Sequence, residues 1–224
     1  MPAFAFSRQP DAIAWFGSAA GQALLAAEAQ AVAEALQGND AQPWLWLAAG
    51  PAATAAAPPS PAGRGLRLSH AGGGFEGPLR CALPLPLPSE SIGRLVLQHA
   101  HDDGSEDLIA ECARVLAPGG RLWLFSLNPW SPYRRHWRRA GLPPRAAVAW
   151  RLRLGAAGLQ VEPQARYFGP CARVLAADGP IAPLRAACLL RAEKRTPAPV
   201  SPFRPRPPGA APAPRRPDLE SPCR

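Results

Sequence analysis

The sequence lacks closely spaced cysteines, and this absence excludes several kinds of site. Its five cysteines, at positions 81, 112, 171, 188 and 223, are never closer than 17 residues to one another. Structural zinc sites and dithiol redox motifs need closely spaced pairs, so neither is expected. Scattered single cysteines are typical of a reducing compartment. We therefore expect no metal site and a cytoplasmic location.

Long apolar runs are also missing. The alanine-rich stretch 48–57 is interrupted by Gly50, Pro51 and Thr54, and a membrane helix needs about 18 or more apolar residues in succession. The first residues, MPAFAFSRQPD, place no basic region ahead of an apolar segment, so they do not predict a signal peptide. We expect no membrane span.

Acidic residues are absent from the most basic part of the chain. Residues 134–153 hold seven arginines and no acid, a charge of +7. Residues 196–224 hold ten prolines, five arginines and two acids, a charge of +3, so the rest of the chain contributes about −1 to the total of +9. This tail has no apolar periodicity, which predicts disorder. The positive charge therefore belongs to two segments and not to the whole folded body.

The remaining sequence alternates between helical and strand-like patterns. A first helix is predicted to start at Pro10 and Asp11, and apolar residues at the spacing of one helix face predict a second over about 21–37. Short apolar runs bounded by glycine or proline are typical of strands in a covered sheet. Three such runs are WLWLAAG at 44–50, GLRLSH at 65–70 and RLVLQHA at 94–100.

The clearest passage is GSEDLIAECARVLAPGGRLWLFSLNP, over 104–129. Ser105 can cap a helix with a broad apolar face, and the prolyl-glycyl-glycine at 118–120 is predicted to end it. Residues 122–127 then have the composition of a strand buried on both faces. A further helix over about 145–157 and strands near 159–161 and 187–192 continue the alternation.

This alternation predicts an α/β fold with a doubly wound, mostly parallel sheet whose last strand is antiparallel. We divide the chain into a helical N-terminal extension at 1–39 that packs on the core, an α/β domain at 40–195 and a disordered Pro/Arg-rich tail at 196–224.

Two segments, LPLPSESIGRLVLQHA and LIAECARVLAPGGRLWLFSLNPW, resemble small class I S-adenosylmethionine-dependent methyltransferases of the type 11 family. Those proteins carry a leucine-proline segment, a strand, a helix, an RVLxPGG turn and another strand in this order. The segments AWFGSAAGQALLAAEAQ and FSLNPWSPYRRHWR extend the resemblance over about 12–195, most weakly over 51–80. The resemblance implies a Rossmann-like sheet of the seven-stranded type, S-adenosylmethionine as cofactor and methyl transfer to an unidentified acceptor.

The resemblance also places the cofactor at the ends of the first strands. The implied cofactor-binding positions are Ala48, Ala49, Gly50, Ser69, His70, Cys81, Ala82 and Gln98. The family has acids where this chain has Ser69 or His70 and Cys81, and several glycines where it has only Gly50. Since neither a thiol nor a serine replaces a carboxylate as an acceptor, we expect a weakened cofactor site.

Several polar segments have two interpretations. His99 and His101 end the fourth strand and are candidate catalytic bases, although a histidine at a strand end is also commonly structural. The GGGF segment at 72–75 is predicted to form a flexible turn and not a nucleotide loop. The SLNPW segment at 126–130 resembles the NPPY motif of amino-methylating enzymes. That motif follows the fourth strand and this segment follows the fifth, so a local turn around Asn128 is the simpler interpretation. The acidic run at 102–107 is either a solvated helix start or a metal site.

The segment WSPYRRHWRR at 130–139 mixes aromatic side chains with arginines. This mixture suits contact with nucleic acid or an acidic partner, and it also suits an amphipathic lid whose tryptophans cover the sheet. The arginines concerned are Arg134, Arg135, Arg138 and Arg139.

Three functions therefore compete. The first is a methyltransferase with a weakened cofactor site. The second is a non-catalytic scaffold or binding module on the same fold, because the usual acids and glycines are missing. The third is a nucleic-acid-associated protein that uses 130–153 and the Pro/Arg-rich tail.

Overall fold

The computed structural model describes residues 14–37, 42–51, 53, 63–71, 74–99, 107–171 and 182–195. The predicted helix start at Pro10, the candidate base His101, the acids at 102 and 103, and the tail at 196–224 lie outside the described residues.

The chain forms four α-helices and nine strands within these ranges. The helices are α1 (Ala19–Leu36), α2 (Asp107–Val115), α3 (Arg134–Arg139) and α4 (Ala147–Ala156), with short 3₁₀ turns at Trp15–Gly17 and Ala182–Leu184. The strands are β1 (Trp44–Ala48), β2 (Gly65–Ala71), β3 (Gly74–Glu76), β4 (Arg80–Cys81), β5 (Ile92–Gln98), β6 (Leu116–Leu127), β7 (Leu159–Val161), β8 (Arg166–Phe168) and β9 (Ala187–Lys194).

All nine strands belong to one sheet, in the order β4-β3-β2-β1-β5-β6-β9-β7, with β8 also paired to β9. The central strands β2, β1, β5 and β6 are parallel, and β9 runs antiparallel to β6. The predicted parallel neighbours near 94–99 and 121–127 are confirmed, since Leu95 pairs with Leu122 and Gln98 with Phe125. The predicted antiparallel last strand is confirmed as well.

One edge of the sheet differs from the prediction. Gly74 and Phe75, expected in a flexible turn, belong to β3, which pairs antiparallel with β2 and then with β4. The hydroxyl of Ser69 donates to the backbone oxygen of Glu76 at 3.1 Å, which adds to this pairing. The short hairpin satisfies backbone groups that an edge strand otherwise leaves unpaired.

Helices cover both faces of the sheet, because successive side chains of a strand point to opposite sides. Trp46, Ala48 and Val96 pack in a core with α1. Leu45, Leu47 and Leu95 pack in a second core with α2 and α4. Each layer of helices packs on one face of the same strands. The carboxyl ends of these strands therefore lie at one common edge of the sheet.

The junction of α2 and β6 gives a structural role to the residues on which the family resemblance rests. The side chain of Arg114 pairs with Glu111 and donates to the backbone oxygens of Leu85 and Leu87 at 3.1 and 2.9 Å. Glu111 in turn accepts from the backbone nitrogen of Leu85 at 2.6 Å. The end of α2 is therefore tied to the leucine-proline segment that precedes β5.

The prolyl-glycyl-glycine turn also differs from the prediction. We expected it to end the helix, but α2 ends at Val115 and residues 118–120 lie inside β6, where the pairing with β5 shifts register after Ile92. Gly119 has a φ of 74°, a conformation that favours glycine. A Cβ at Gly120 would lie 2.8 Å from the oxygen of Ala117. The glycines are required by an irregular strand start and not by a helix stop.

Candidate cofactor and acceptor site

The carboxyl ends of three parallel strands bring most of the predicted cofactor residues together. Ala48 at the end of β1 pairs with Ser69 of β2 on one side and with Gln98 of β5 on the other. His70 and His99 each follow one residue later along their strands. In open α/β sheets this edge is where ligands bind.

The loop after β1 is packed into the protein. Ala48 and Ala49 have no exposed surface, and Gly50 is also buried. The backbone oxygen of Gly50 accepts from the nitrogen of Ala53 at 3.1 Å, so the chain turns immediately. Because two of these residues are alanine and one is glycine, they contribute mainly backbone groups at the sheet edge.

The side chains at the end of β2 are largely engaged. The hydroxyl of Ser69 is bonded to Glu76, as described above. His70 is buried, and its ring meets the ring of Phe75 edge-on with 5.6 Å between centroids. His70 therefore belongs to the core next to β3 and is not presented at the surface.

Cys81 and Ala82 line an open pocket of about 510 Å³ together with Ala71, Phe75 and Glu76. Burial raises the pKa of the Cys81 thiol, so the thiol stays neutral. The carboxylate of Glu76, which forms an exposed ion pair with Arg80, is an acidic group in this pocket that sequence reasoning missed. It lies on a strand that the sequence did not predict, which is why the pattern did not identify it.

A second carboxylate that the sequence pattern did not identify, that of Glu28, is buried close to the carboxyl end of β5. Glu28 of α1 is completely buried, and its oxygens lie 2.9 Å from Nε2 of Gln98 and 2.9 Å from Nε2 of His99. The indole nitrogen of Trp46 donates to Oε1 of Gln98 at 3.2 Å. The sequence signal was a charged residue in the middle of the apolar stripe of α1, three residues after Leu25 and four before Val32.

His99, a predicted candidate base, has an unusual environment. Its backbone has a φ of 45°, which is uncommon for a residue with a side chain and is often found at functional sites. Its ring lies 5.0 Å from that of Phe16, and its Nδ1 has no hydrogen-bond partner among the described residues. His99 also lines a cavity of about 40 Å³ beside Leu142, Pro144 and Trp150.

Solved structures with the same architecture are numerous. The candidate methyltransferase that was solved in complex with the Trm112 methyltransferase activator of Haloferax volcanii has a TM-score of 0.53 at 15% identity, covering 85% of this chain and 98% of that one. An S-adenosylmethionine-dependent methyltransferase from Archaeoglobus fulgidus has a TM-score of 0.53 at 12% identity, covering 77% and 94%. One from Thermotoga maritima has a TM-score of 0.50 at 16% identity, covering 81% and 94%.

This is the fold of the S-adenosylmethionine-dependent methyltransferases. No protein-family model and no curated protein sequence matches the chain. At such low identity the methyltransferase fold is what the likeness establishes, and the chemistry has to be argued from the residues.

The residues at the sheet edge suit one half of S-adenosylmethionine better than the other. The pocket beside Cys81 and Ala82 has the size of a ligand site, and the carboxylate of Glu76 supplies an acceptor there for hydroxyl or amino groups. At the other end, Ala48 and Ala49 offer no exposed surface. Both ends of the Gln98 amide are already bonded. The adenosine half fits, and the methionine half has few groups left to bind it.

The basic segment after β6 has one buried and one exposed tryptophan. Trp137 of α3 is fully buried, whereas Trp130 is 69% exposed. The alternative of a lid whose tryptophans cover the sheet is therefore correct for Trp137 alone. Arg134 and its three companions at 135, 138 and 139 are exposed, and in the described part of the chain none of their side chains makes a hydrogen bond or an ion pair.

Asn128 occupies a turn, as the simpler interpretation of SLNPW predicted. Its side-chain oxygen accepts from the backbone nitrogen of Trp130 at 3.2 Å, and its amide donates to the oxygens of Pro183 and Arg185 at 2.6 and 2.8 Å. Because all of these bonds are structural, Asn128 has no amide donor left for a substrate nitrogen.

Two further features concern the described residues only. None of their helices is long and apolar enough to cross a membrane. No three of their histidine, cysteine, aspartate or glutamate side chains come together as metal ligands.

Proposed function

We propose that this chain is an S-adenosylmethionine-dependent methyltransferase-like protein with a weakened cofactor site, acting on an unidentified acceptor. The observation that carries the proposal is the common edge of β2, β1 and β5, where Ala48, Ser69 and Gln98 are in register. Ala71, two residues after Ser69 on β2, lines an open pocket. A non-catalytic scaffold on the same fold has no comparable observation in its favour.

The cofactor would lie along this edge. Cys81 and Ala82 would contact the adenine, and Ser69 and Glu76 would lie nearest the ribose. The buried loop of Ala48, Ala49 and Gly50 would offer the methionine part few groups to bind. Bound there, S-adenosylmethionine supplies a methyl group that is already activated as a sulfonium. The protein then has to align the acceptor and accept its proton.

We expect the cofactor to bind weakly. A hydrogen bond to a carboxylate is worth about 1.5–3 kcal/mol, and the chain lacks carboxylates at Ser69, His70 and Cys81. Two such losses weaken a micromolar site to roughly 0.1 mM or worse. The carboxylate of Glu76 compensates for part of this loss, because its ion pair with Arg80 is exposed and exchangeable.

Calorimetry with S-adenosylmethionine and, in parallel, S-adenosylhomocysteine tests the proposal. Dissociation constants in the range from about 0.1 to a few millimolar support it. Micromolar binding would contradict the weakened site and indicate an ordinary methyltransferase. No binding of either compound would reject the methyltransferase function and leave the scaffold.

A second candidate function is contact with nucleic acid or another acidic partner through 130–153. The observation in its favour is the face formed by Arg134, Arg135, Arg138 and Arg139 within the six residues of α3. Among the described residues, no acid pairs with these four side chains. The exposed indole of Trp130 precedes it and provides a surface on which a base can stack.

A further inference from the structure

The methyltransferase proposal leaves one buried carboxylate without a role. Glu28 comes from the helix ahead of β1, yet it is bonded to the last residue of β5 and to the histidine that follows it. A buried carboxylate is costly unless donors surround it. The direction of each hydrogen bond in this cluster can be deduced, and it determines what His99 is able to do.

The hydrogen bond from Trp46 to Gln98 has only one possible direction, because an indole nitrogen can only donate. Oε1 of Gln98 must therefore be the atom that faces Trp46, at 3.2 Å. The amide nitrogen of Gln98 then points at Glu28, and it can only donate as well. Glu28 consequently acts as an acceptor at Oε2.

The contacts of His99 with Glu28 also indicate which ring nitrogen carries its proton. Its Nε2 lies 2.9 and 3.1 Å from the two oxygens of Glu28, and the side chains are 1% and 0% exposed. A proton on Nε2 makes a charge-assisted bond to the carboxylate. In the neutral ring the other nitrogen, Nδ1, then carries a free lone pair, and Nδ1 has no hydrogen-bond partner among the residues that the structure describes.

The ring is also held in place by packing. Phe16 is completely buried and lies against the imidazole with 5.0 Å between centroids and 30° between planes. The backbone nitrogen of His99 donates to the oxygen of Phe125 at 3.0 Å, which maintains the unusual φ. Backbone strain of this kind persists where the surroundings force one geometry.

The cavity beside His99 limits what can reach it. Its volume of about 40 Å³ accommodates only a few water-sized groups, and its walls include Leu142, Pro143 and Trp150. The remaining walls include Ser126 and Arg145, and the small volume admits only a small group. A hydroxyl or amine N–H at the tip of a larger molecule fits this volume, and such a group can donate to the lone pair of Nδ1.

We propose that Glu28 is a positioning residue that keeps the proton of His99 on Nε2, so that Nδ1 accepts the proton of a hydroxyl or amine on the methyl acceptor. This inference rests on the methyltransferase function proposed above. The acceptor's proton goes to Nδ1, and the electron pair of the broken bond stays on the acceptor atom, which forms the new bond to the methyl carbon. The bond between that carbon and the sulfonium sulfur breaks, and its electron pair goes to the sulfur, which leaves as the neutral thioether. The Glu28 carboxylate stabilises the imidazolium that results, as the aspartate of a serine-protease triad does.

The test measures the tautomer of His99 directly and needs no cofactor. Protein with ¹⁵N-labelled histidine is examined by long-range ¹H–¹⁵N NMR at pH 8, and the His99 signals are assigned by their loss in His99→Asn. We expect protonated Nε2 and unprotonated Nδ1 in the wild type. We expect a mixture of tautomers in Glu28→Gln and the wild-type pattern in Glu34→Gln, a matched change at an exposed site of α1.

A wild-type ring protonated on Nδ1 would overturn the proposal, since Nδ1 would then be a donor. An unchanged tautomer in a folded Glu28→Gln variant would remove the positioning role. If that variant does not fold, the wild-type spectrum still decides the tautomer.

A second measurement follows transfer of tritium-labelled methyl groups from S-adenosylmethionine to a low-molecular-weight cell extract. Glu28→Gln should lower the rate by about 10²-fold or more, with unchanged cofactor affinity. An equal rate in wild type and Glu28→Gln would overturn the proposal. Failure of the wild type to bind S-adenosylmethionine would reject the methyltransferase function instead, and the tautomer would be unaffected by that result.

Discussion

Oε1 of Glu28 lies 2.9 Å from Nε2 of His99, although 71 positions separate the two residues in the sequence. The contact joins the middle of α1 to the carboxyl end of β5. It links the helix that precedes the sheet to the place where an acceptor would bind. We expect this contact between Glu28 and His99 to contribute to the stability of the fold.

Glu28→Ala should destabilise the fold by about 3 kcal/mol, because Gln98 and His99 both lose their buried acceptor. The free energy of unfolding is measured by urea denaturation. Glu34→Ala is the control on the same helix, and as an exposed change it should cost less than about 0.5 kcal/mol. Equal denaturation midpoints for the two variants would show that the buried cluster is not important for stability.

Cys81→Asp should tighten S-adenosylmethionine binding by about tenfold or more, because it adds a carboxylate to an open pocket. Cys81→Asn has the same shape without the charge and should change the dissociation constant little. A companion change, His70→Asp, would place a carboxylate in the core against Phe75, and we expect it to destabilise the fold instead. Calorimetry and thermal melts distinguish these results. If Asp and Asn at position 81 bind alike, the pocket does not hold the adenine.

Replacing Arg134, Arg135, Arg138 and Arg139 by serine should leave the melting temperature nearly unchanged, since exposed unpaired arginines contribute little to folding. The variant should bind single-stranded RNA more weakly, and the slope of log K against log salt should flatten by about 2–3. Fluorescence anisotropy at several salt concentrations measures both effects.

The matched control for that surface changes Arg80, Arg121 and Arg166 to serine, because each of these exposed arginines faces an acid. It should retain most of the RNA affinity. Equal weakening by both sets of substitutions would indicate a general charge effect, and no weakening by the α3 set would remove it as a nucleic-acid surface.

Acid should weaken the clamp between α2 and the segment before β5. The hydrogen bond from Arg114 lowers the pKa of Glu111 below its ordinary 4.5, and the backbone of Leu85 adds to this effect. A carboxyl with a lowered pKa in the folded state stabilises the fold above about pH 4.5 and loses this contribution as the pH falls through the folded value. Arg114→Gln should therefore be less stable than wild type at pH 7, and the difference should shrink at pH 3. Urea midpoints at both values measure it, and a difference independent of pH would contradict the assignment.

Much of the fold follows from local patterns in the sequence. The apolar stripe of α1, the buried strands and the alternation of helix and strand each depend on neighbours a few residues apart, so their spacing alone predicts them. The order of motifs also placed 94–98 and 121–125 side by side, because a short helical crossover returns the chain to a parallel neighbour.

The candidate site depended only partly on such patterns. The sequence placed Ala48, Ser69, Gln98 and His99 at strand ends, and whether they bind a cofactor stays a prediction. It did not reveal that the hairpin β3–β4 brings Glu76 beside Cys81, since short edge strands carry too little pattern to be recognised. It also did not show that the amide of Gln98 is already used at both ends.

By itself, the sequence determined α1, α2 and α4, the central strands and the two basic segments, because propensity, apolar spacing and charge are properties of adjacent residues. Only the tertiary structure decided that Glu28 meets His99, that His70 belongs to the core and that the side chains of the α3 arginines face solvent, unpaired among the described residues. Hydrogen bonds and burial of this kind depend on the distance between elements far apart in the chain. Those distances exist only once the two layers of helices have packed on the sheet.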